Sequence, residues 1–240
     1  MTYAYRSPQP PAQPRQLVPV IERDADTRAT FLSRVYGHLL MAVLLFIAVE
    51  IAFFMSGFSD TVIDYISQRS GIVLALFFVG IMAGSFIATK ASYSPNVGTQ
   101  YLGLIGEVLI YAVLFIPLLD YAFRNDPGAI PSAAVVTAIA FAGLTLIAFF
   151  TRHDFSWLRG VLLFGFVVGF AAIVGALLFG WVLGLWFSVA MVFVAGAGIL
   201  YQTQQIVQRY PAEYYVGAAV SLFGWVMMLF YYVLRIFARN

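Results

Sequence analysis

Read as alternating stretches of apolar and polar positions, the chain is a polar segment of about thirty residues followed by seven long apolar runs parted by short polar breaks. The runs cover approximately Arg34–Ser56, Gly71–Ala88, Gly98–Leu119, Ile130–Phe150, Leu158–Phe179, Val182–Val207 and Ala212–Ile236. A helix of about 20 apolar residues crosses the roughly 30 Å hydrocarbon core of a bilayer, and in lipid a helix satisfies its backbone hydrogen bonds internally. Each run is therefore expected to be a membrane-crossing helix. Gly180-Trp181 is the weakest break; the runs on either side are together too long for one crossing, which predicts a tight hairpin there.

Small residues at four-residue spacing mark the expected helix contacts, because helices in lipid associate by close packing and a few polar bonds. Gly165 and Gly169 form such a pair in the fifth run, and Gly180, Gly184 and Ser188 form a series at the start of the sixth. In the seventh, Gly217, Ser221, Gly224, Met228 and Arg235 fall on nearly one side at about 100° per residue. A thin face ending in a charge suits a helix surrounded by others; it also suits an ordinary contact with Arg235 reaching the headgroups. Pro117 is a candidate local break in the third run.

Composition agrees with the pattern: 62% of the 240 residues are apolar, 10% are charged, and the mean hydropathy is +0.90. Soluble domains carry about 25% charge. The fold class is thus an all-α integral membrane protein, a seven-helix bundle over residues 31–240. Residues 1–30 read as a flexible, Pro-rich tail and not as a signal peptide, since they hold no apolar core segment.

With no cysteine, thiolate chemistry and disulfides are excluded. No basic run fits nucleic acid. Nine basic residues fall on the side of the N-terminus (Arg6, Arg15, Arg23, Arg28, Arg34, Lys90, Arg152, Arg159 and Arg209) and four on the other (Arg69, Arg124, Arg235 and Arg239). This bias places the N-terminus in the cytoplasm, with the protein in the cell (inner) membrane.

Ionisable groups within spans are functional candidates. Glu107 lies about 14 Å into the third span at about 1.5 Å per residue, and a pairing with Lys90 would offset its burial. A structural bridge or an interfacial position accounts for it as well. Glu50 lies nearer the far surface, and His38, one turn from Arg34, is either a proton switch or an interfacial ring. Enzyme signatures are missing: no His-Glu-x-x-His, no Gly-x-Ser-x-Gly, and no paired aspartates deep in a span. No cofactor is expected.

Thr151-Arg152-His153-Asp154-Phe155-Ser156 is similar to the Thr-x-x-Asp-Phe-Ser loop after the fourth span of the Bax inhibitor family, the transmembrane Bax-inhibitor-motif proteins. Ile199-Leu200-Tyr201-Gln202-Thr203-Gln204 resembles its Ile-x-Tyr-Asp-Thr-Gln ending of the sixth span. The stretch Ala219-Val220-Ser221-Leu222-Phe223-Gly224-Trp225, continuing to Leu234-Arg235, resembles its last span, and Phe31 to Tyr36 fits the start of its first.

The resemblance implies a bundle with the last helix central and a calcium leak gated by two aspartates, which titrate as a coupled pair when close. Here those gate positions are Gln202 and Trp225. Gln202 keeps hydrogen-bonding capacity without a titratable proton, and Trp225 puts a large ring in place of a small anion. Gln202 and Gln205 share a helix face and have two readings, part of an uncharged gate or caps at the interface. Gln205, Glu107, Lys90 and Arg235 complete the candidate polar site.

Two functions follow from the resemblance. One is a regulatory membrane protein acting on another complex, since some bacterial relatives restrain a membrane-bound AAA protease and present an N-terminal tail. The other is a leak for calcium or another cation, weakened here by the loss of both acids. A solute permease is a third reading, without the paired interrupted helices that mark such sites.

Overall fold

The computed structural model describes residues 18–151 and 154–239. It contains eight α-helices among the described residues: α1 (Ala25–Met55), α2 (Phe58–Ser67), α3 (Gly71–Ala91), α4 (Val97–Asn125), α5 (Ala129–Phe150), α6 (Leu158–Phe179), α7 (Leu185–Arg209) and α8 (Tyr215–Phe237). All but α2 are long and apolar enough to cross a membrane. The protein is a multi-pass all-α membrane bundle.

The first helix begins well before its apolar run because the chain supplies a cap. The Asp24 carboxylate accepts the backbone N–H of Thr27 at 2.9 Å and its hydroxyl at 2.8 Å, satisfying donors that the first turn leaves open. Residues 25–30, expected in the tail, are therefore helical. Just ahead, Val20 is 1% exposed; its N–H donates to the Tyr210 carbonyl at 2.8 Å, beside an antiparallel bridge between Pro19 and Pro211. The start of the described chain is thus tied to the α7–α8 connection. Residues 1–17 of the expected tail lie outside the described residues.

Gly57, at φ 76°, turns the chain into α2, a helix not anticipated. Its 10 residues span about 15 Å at about 1.5 Å per residue, too short to cross. Arg124 at the end of α4 joins this corner, 2.8 Å from Asp120 and 3.5 Å from Asp60. The expected break at Pro117 does not occur, and α4 runs continuously through it. The hairpin after α6 does occur, made by Gly180 in the left-handed region at φ 71°, which glycine adopts without steric penalty.

A Cβ at Gly165 would sit 3.0 Å from Val194, and one at Gly169 the same distance from Met191, so that pair is the contact of α6 with α7. The series Gly180, Gly184 and Ser188 is no such face: both glycines precede α7 and have nothing within 4 Å, and Ser188 alone is buried.

The last helix is central. Buried residues make up 61% of its most apolar window, against 11% to 44% in the other spans, and it packs on α1, α3, α4, α5 and α7. The thin face is part of the reason. Gly217 admits the ring of Tyr93, Ser221 meets its hydroxyl, and Gly224 receives the Tyr111 hydroxyl. The outer surface carries large apolar side chains such as Phe86, Leu163, Phe164 and Trp186 in the open, as a lipid solvent requires.

Candidate functional site

The amide cluster at the end of α7 is buried, not capping an open helix end. Gln202, Gln204 and Gln205 are 7%, 4% and 8% exposed, with Thr203 fully buried between them. Gln204 reaches out of the helix and accepts the backbone N–H of Phe155 at 2.8 Å. The loop before α6 is thereby docked on α7. In that loop the Asp154 carboxylate accepts the Ser156 N–H and hydroxyl, each at 2.9 Å, and these bonds hold it below the usual carboxylate range. Arg152 and His153 of the same motif lie outside the described residues.

Gln202 points inward and donates its amide to the Tyr210 hydroxyl at 2.8 Å. That hydroxyl is 2.8 Å from the Tyr93 hydroxyl, which is 2.5 Å from Ser221 Oγ. A continuous chain of hydrogen bonds thus runs from α7 through two phenols to α8. Burial pushes the Tyr93 hydroxyl above its ordinary range, so this link stays a neutral phenol. Such a network, fully connected in a low-dielectric setting, rigidifies the elements it joins.

One turn deeper, Trp225 lies against Gly198. A Cβ at Gly198 would overlap the indole ring, so α7 and α8 approach there only because the position is glycine. Gly198 is four residues before Gln202 and Ser221 four before Trp225, so each pair shares a helix face. Gln202 and Trp225 therefore belong to adjacent layers of the contact between α7 and α8: a neutral polar latch, and an aromatic plug one turn deeper.

Behind the plug is a cavity of about 550 Å³ between α3, α4, α6, α7 and α8, bordered by Met82, Tyr111, Trp225, Met228, Tyr232 and Arg235. Among the described residues, Arg235 is the only charged one lining it. Its guanidinium donates to the Leu183 carbonyl at 2.7 Å and lies 5.8 Å from the Phe187 ring centre. It is far along α8 from Ser221, so no pairing with Gln202 forms.

Glu107 and Lys90 do not pair. The Ser85 hydroxyl donates to Glu107 Oε1 at 2.6 Å, and Glu107 is 3% exposed. Ser85 and Thr89 share a face of α3 toward α4, whereas Lys90 is turned away and exposed. Glu107 thus bridges α3 and α4 and is not part of the latch. His38 has both ring nitrogens occupied, Nδ1 2.7 Å from the Arg34 carbonyl and Nε2 2.8 Å from the Tyr101 hydroxyl.

Sequence reasoning missed Tyr93 and Tyr210. The available signal was their place at the ends of apolar runs, where tyrosine concentrates at membrane boundaries.

The family model described as "Inhibitor of apoptosis-promoting Bax1" matches residues 28–240. The chain belongs to the Bax inhibitor family. Among curated relatives, Protein LIFEGUARD 3 of Arabidopsis thaliana is 25% identical over 226 residues, 92% of this chain and 88% of its own length. An uncharacterised membrane protein of Vibrio cholerae is 29% identical over 177 residues, covering 71% and 75%. An uncharacterised protein of Pseudomonas aeruginosa is 36% identical over 114 residues, covering 47% and 51%. Membership of the Bax inhibitor family agrees with the motif-by-motif likeness, and two of those motifs touch here through Gln204 and Phe155.

Proposed function

We infer that this chain is a non-enzymatic regulatory protein of the cell (inner) membrane, with its N-terminus in the cytoplasm, acting on another membrane complex and not by passing cations through its own bundle. One observation carries the reading: among the described residues, the cavity behind Trp225 has Arg235 as its only charged lining residue. A cation path wants anionic or carbonyl oxygens along it, and a lone guanidinium in a low-dielectric wall repels cations. The latch and plug at the gate positions add a neutral closure.

The complex we favour is a membrane-bound AAA protease, on the family likeness. The Pro-rich sequence from Tyr5 to Pro19 is the segment we assign to meeting it, since such sequences favour extended, preformed recognition conformations. Affinity purification in mild detergent, with the co-purifying proteins identified, tests this with the full chain and with a variant lacking residues 1–17. Recovery of an AAA protease that falls on removing the segment is the expected result. Recovery of no membrane complex by the full chain would overturn the reading, and unchanged recovery would remove the tail from it.

A second reading, a calcium or other cation leak with an uncharged gate, is favoured by the cavity's position behind Trp225, one of the two positions that the family likeness assigns to a gate. It predicts that restoring acids with Gln202→Asp and Trp225→Asp together produces calcium flux in proteoliposomes that differs between about pH 6 and about pH 8. Absence of flux in a folded double variant counts against it.

A further inference from the structure

A second and larger cavity lies on the other side of α8. It is a groove of about 890 Å³ between α1, α4, α5 and α8, within the roughly 300–1,000 Å³ range of small-molecule sites. Its α1 wall runs from Tyr36 to Met55, a rise of about 28 Å at about 1.5 Å per residue. That is nearly the depth of the hydrocarbon core. The lining is apolar except for Tyr36, Glu50 and Thr137.

Glu50 and Thr137 are the anomaly. Glu50 is 7% exposed and Thr137 5%, and neither carboxyl oxygen of Glu50, nor the hydroxyl of Thr137, has a hydrogen-bond partner among the described residues. No ion pair reaches Glu50 from the described residues. Leaving a buried polar group unpaired is costly, and a carboxyl the most so. Nothing packed here requires an acid: the neighbours on α1 are Phe46, Ile47, Ile51 and Phe54. An acid placed against an apolar groove without a partner of its own points to a partner from outside.

We propose that this groove binds a single-chain amphiphile with an amine head, the ammonium pairing with Glu50 and the chain lying along α1 toward Tyr36. Charge complementarity selects the head, because an ammonium both donates to the orphaned carboxyl and neutralises it. Depth selects the arrangement. Glu50 lies about 7 Å from the end of α1 at about 1.5 Å per residue, close enough to the interface for a charged head. From Glu50 back to Tyr36 is about 21 Å on the same scale, room for a long extended alkyl chain. Glu50 lines the groove; its carboxyl oxygens are buried, and binding requires a rotamer change that turns them toward the head. Thr137, across on α5, offers the head a second hydrogen bond.

The test uses the full chain in mild detergent and displacement of a fluorescent long-chain amine by hexadecylamine, hexadecanol and hexadecanoate. The amine is expected to compete at least tenfold more tightly than the alcohol, and the acid not at all. Glu50→Gln should weaken the amine at least tenfold and leave the alcohol unchanged. Ala134→Phe, which fills the groove with Glu50 intact, should abolish displaceable binding; Ala138→Leu does the same should the phenylalanine variant fail to fold, as judged by its melting temperature. Equal competition by all three heads, full affinity in Glu50→Gln, or no displaceable binding at all would overturn the proposal.

Discussion

At Gly198 the interior has no spare volume, and this is the residue at which the contact of α7 with α8 is most easily disturbed. A methyl group there overlaps the Trp225 indole, and inserting carbon into a filled interior costs about 1–3 kcal/mol. Gly198→Ala is expected to lower thermal stability in detergent by about that amount, with a change in tryptophan emission as Trp225 moves. Adding Trp225→Leu should recover most of the loss, and a single variant as stable as the wild type would show that the indole does not pack there. A second residue-scale prediction concerns acid. Hydrogen bonds from Thr27 hold the Asp24 carboxyl below its ordinary value of 3.8. A depressed folded-state value contributes stability that is complete above the unfolded value and is lost as pH falls through the folded one. Hydrogen exchange at the Thr27 amide should therefore rise only below about pH 4, and in Asp24→Asn it should be insensitive to pH once corrected for intrinsic exchange. Gln202 was legible as a key position from the motif it interrupts. Its partner Tyr210 was not, because a hydrogen bond across a helix end leaves no periodic trace.

At the scale of the element, α8 carries the bundle, and stability should track burial on it. Leu234 is fully buried, whereas Ile139 on α5 is 69% exposed. Leu234→Ala is expected to cost about 2–5 kcal/mol through the cavity it leaves, and Ile139→Ala nearly nothing, compared by unfolding in the same detergent. Equal effects would remove α8 from the centre. The seven crossings were readable because each must be long, apolar and helical. Their ends were less so. The start of α1 was set by Asp24 and Thr27, local hydrogen bonding that an apolar window ignores, and α2 is too short for such a window to register. Gly180 and Gly184 have the spacing of a packing motif, yet the chain uses Gly180 to turn and leaves Gly184 outside α7. Spacing cannot distinguish these uses. Lys90 failed as a partner for Glu107 for a related reason: sequence distance brought them near, and helix rotation pointed Lys90 elsewhere.

At the scale of the whole molecule, an odd number of crossings, the seven expected from length and composition, predicts that the start of α1 and the end of α8 lie on opposite faces of the membrane. The absence of cysteine makes this directly testable with single introduced thiols. With the N-terminus cytoplasmic, a membrane-impermeant maleimide added outside intact cells should label Asp64→Cys in α2 and Arg239→Cys, and leave Asp26→Cys untouched until the cells are opened. The reverse pattern would invert the orientation. Between the two faces the bundle holds a neutral latch, an aromatic plug and a cavity whose one charged lining residue is a cation. Gln202 and Trp225 hold no proton to exchange near neutrality. Calcium flux through the purified wild-type protein in proteoliposomes, compared at about pH 6 and about pH 8, tests this most directly. Flux no greater than that of empty vesicles is expected at both values; calcium conduction that switches between them would overturn the neutral closure.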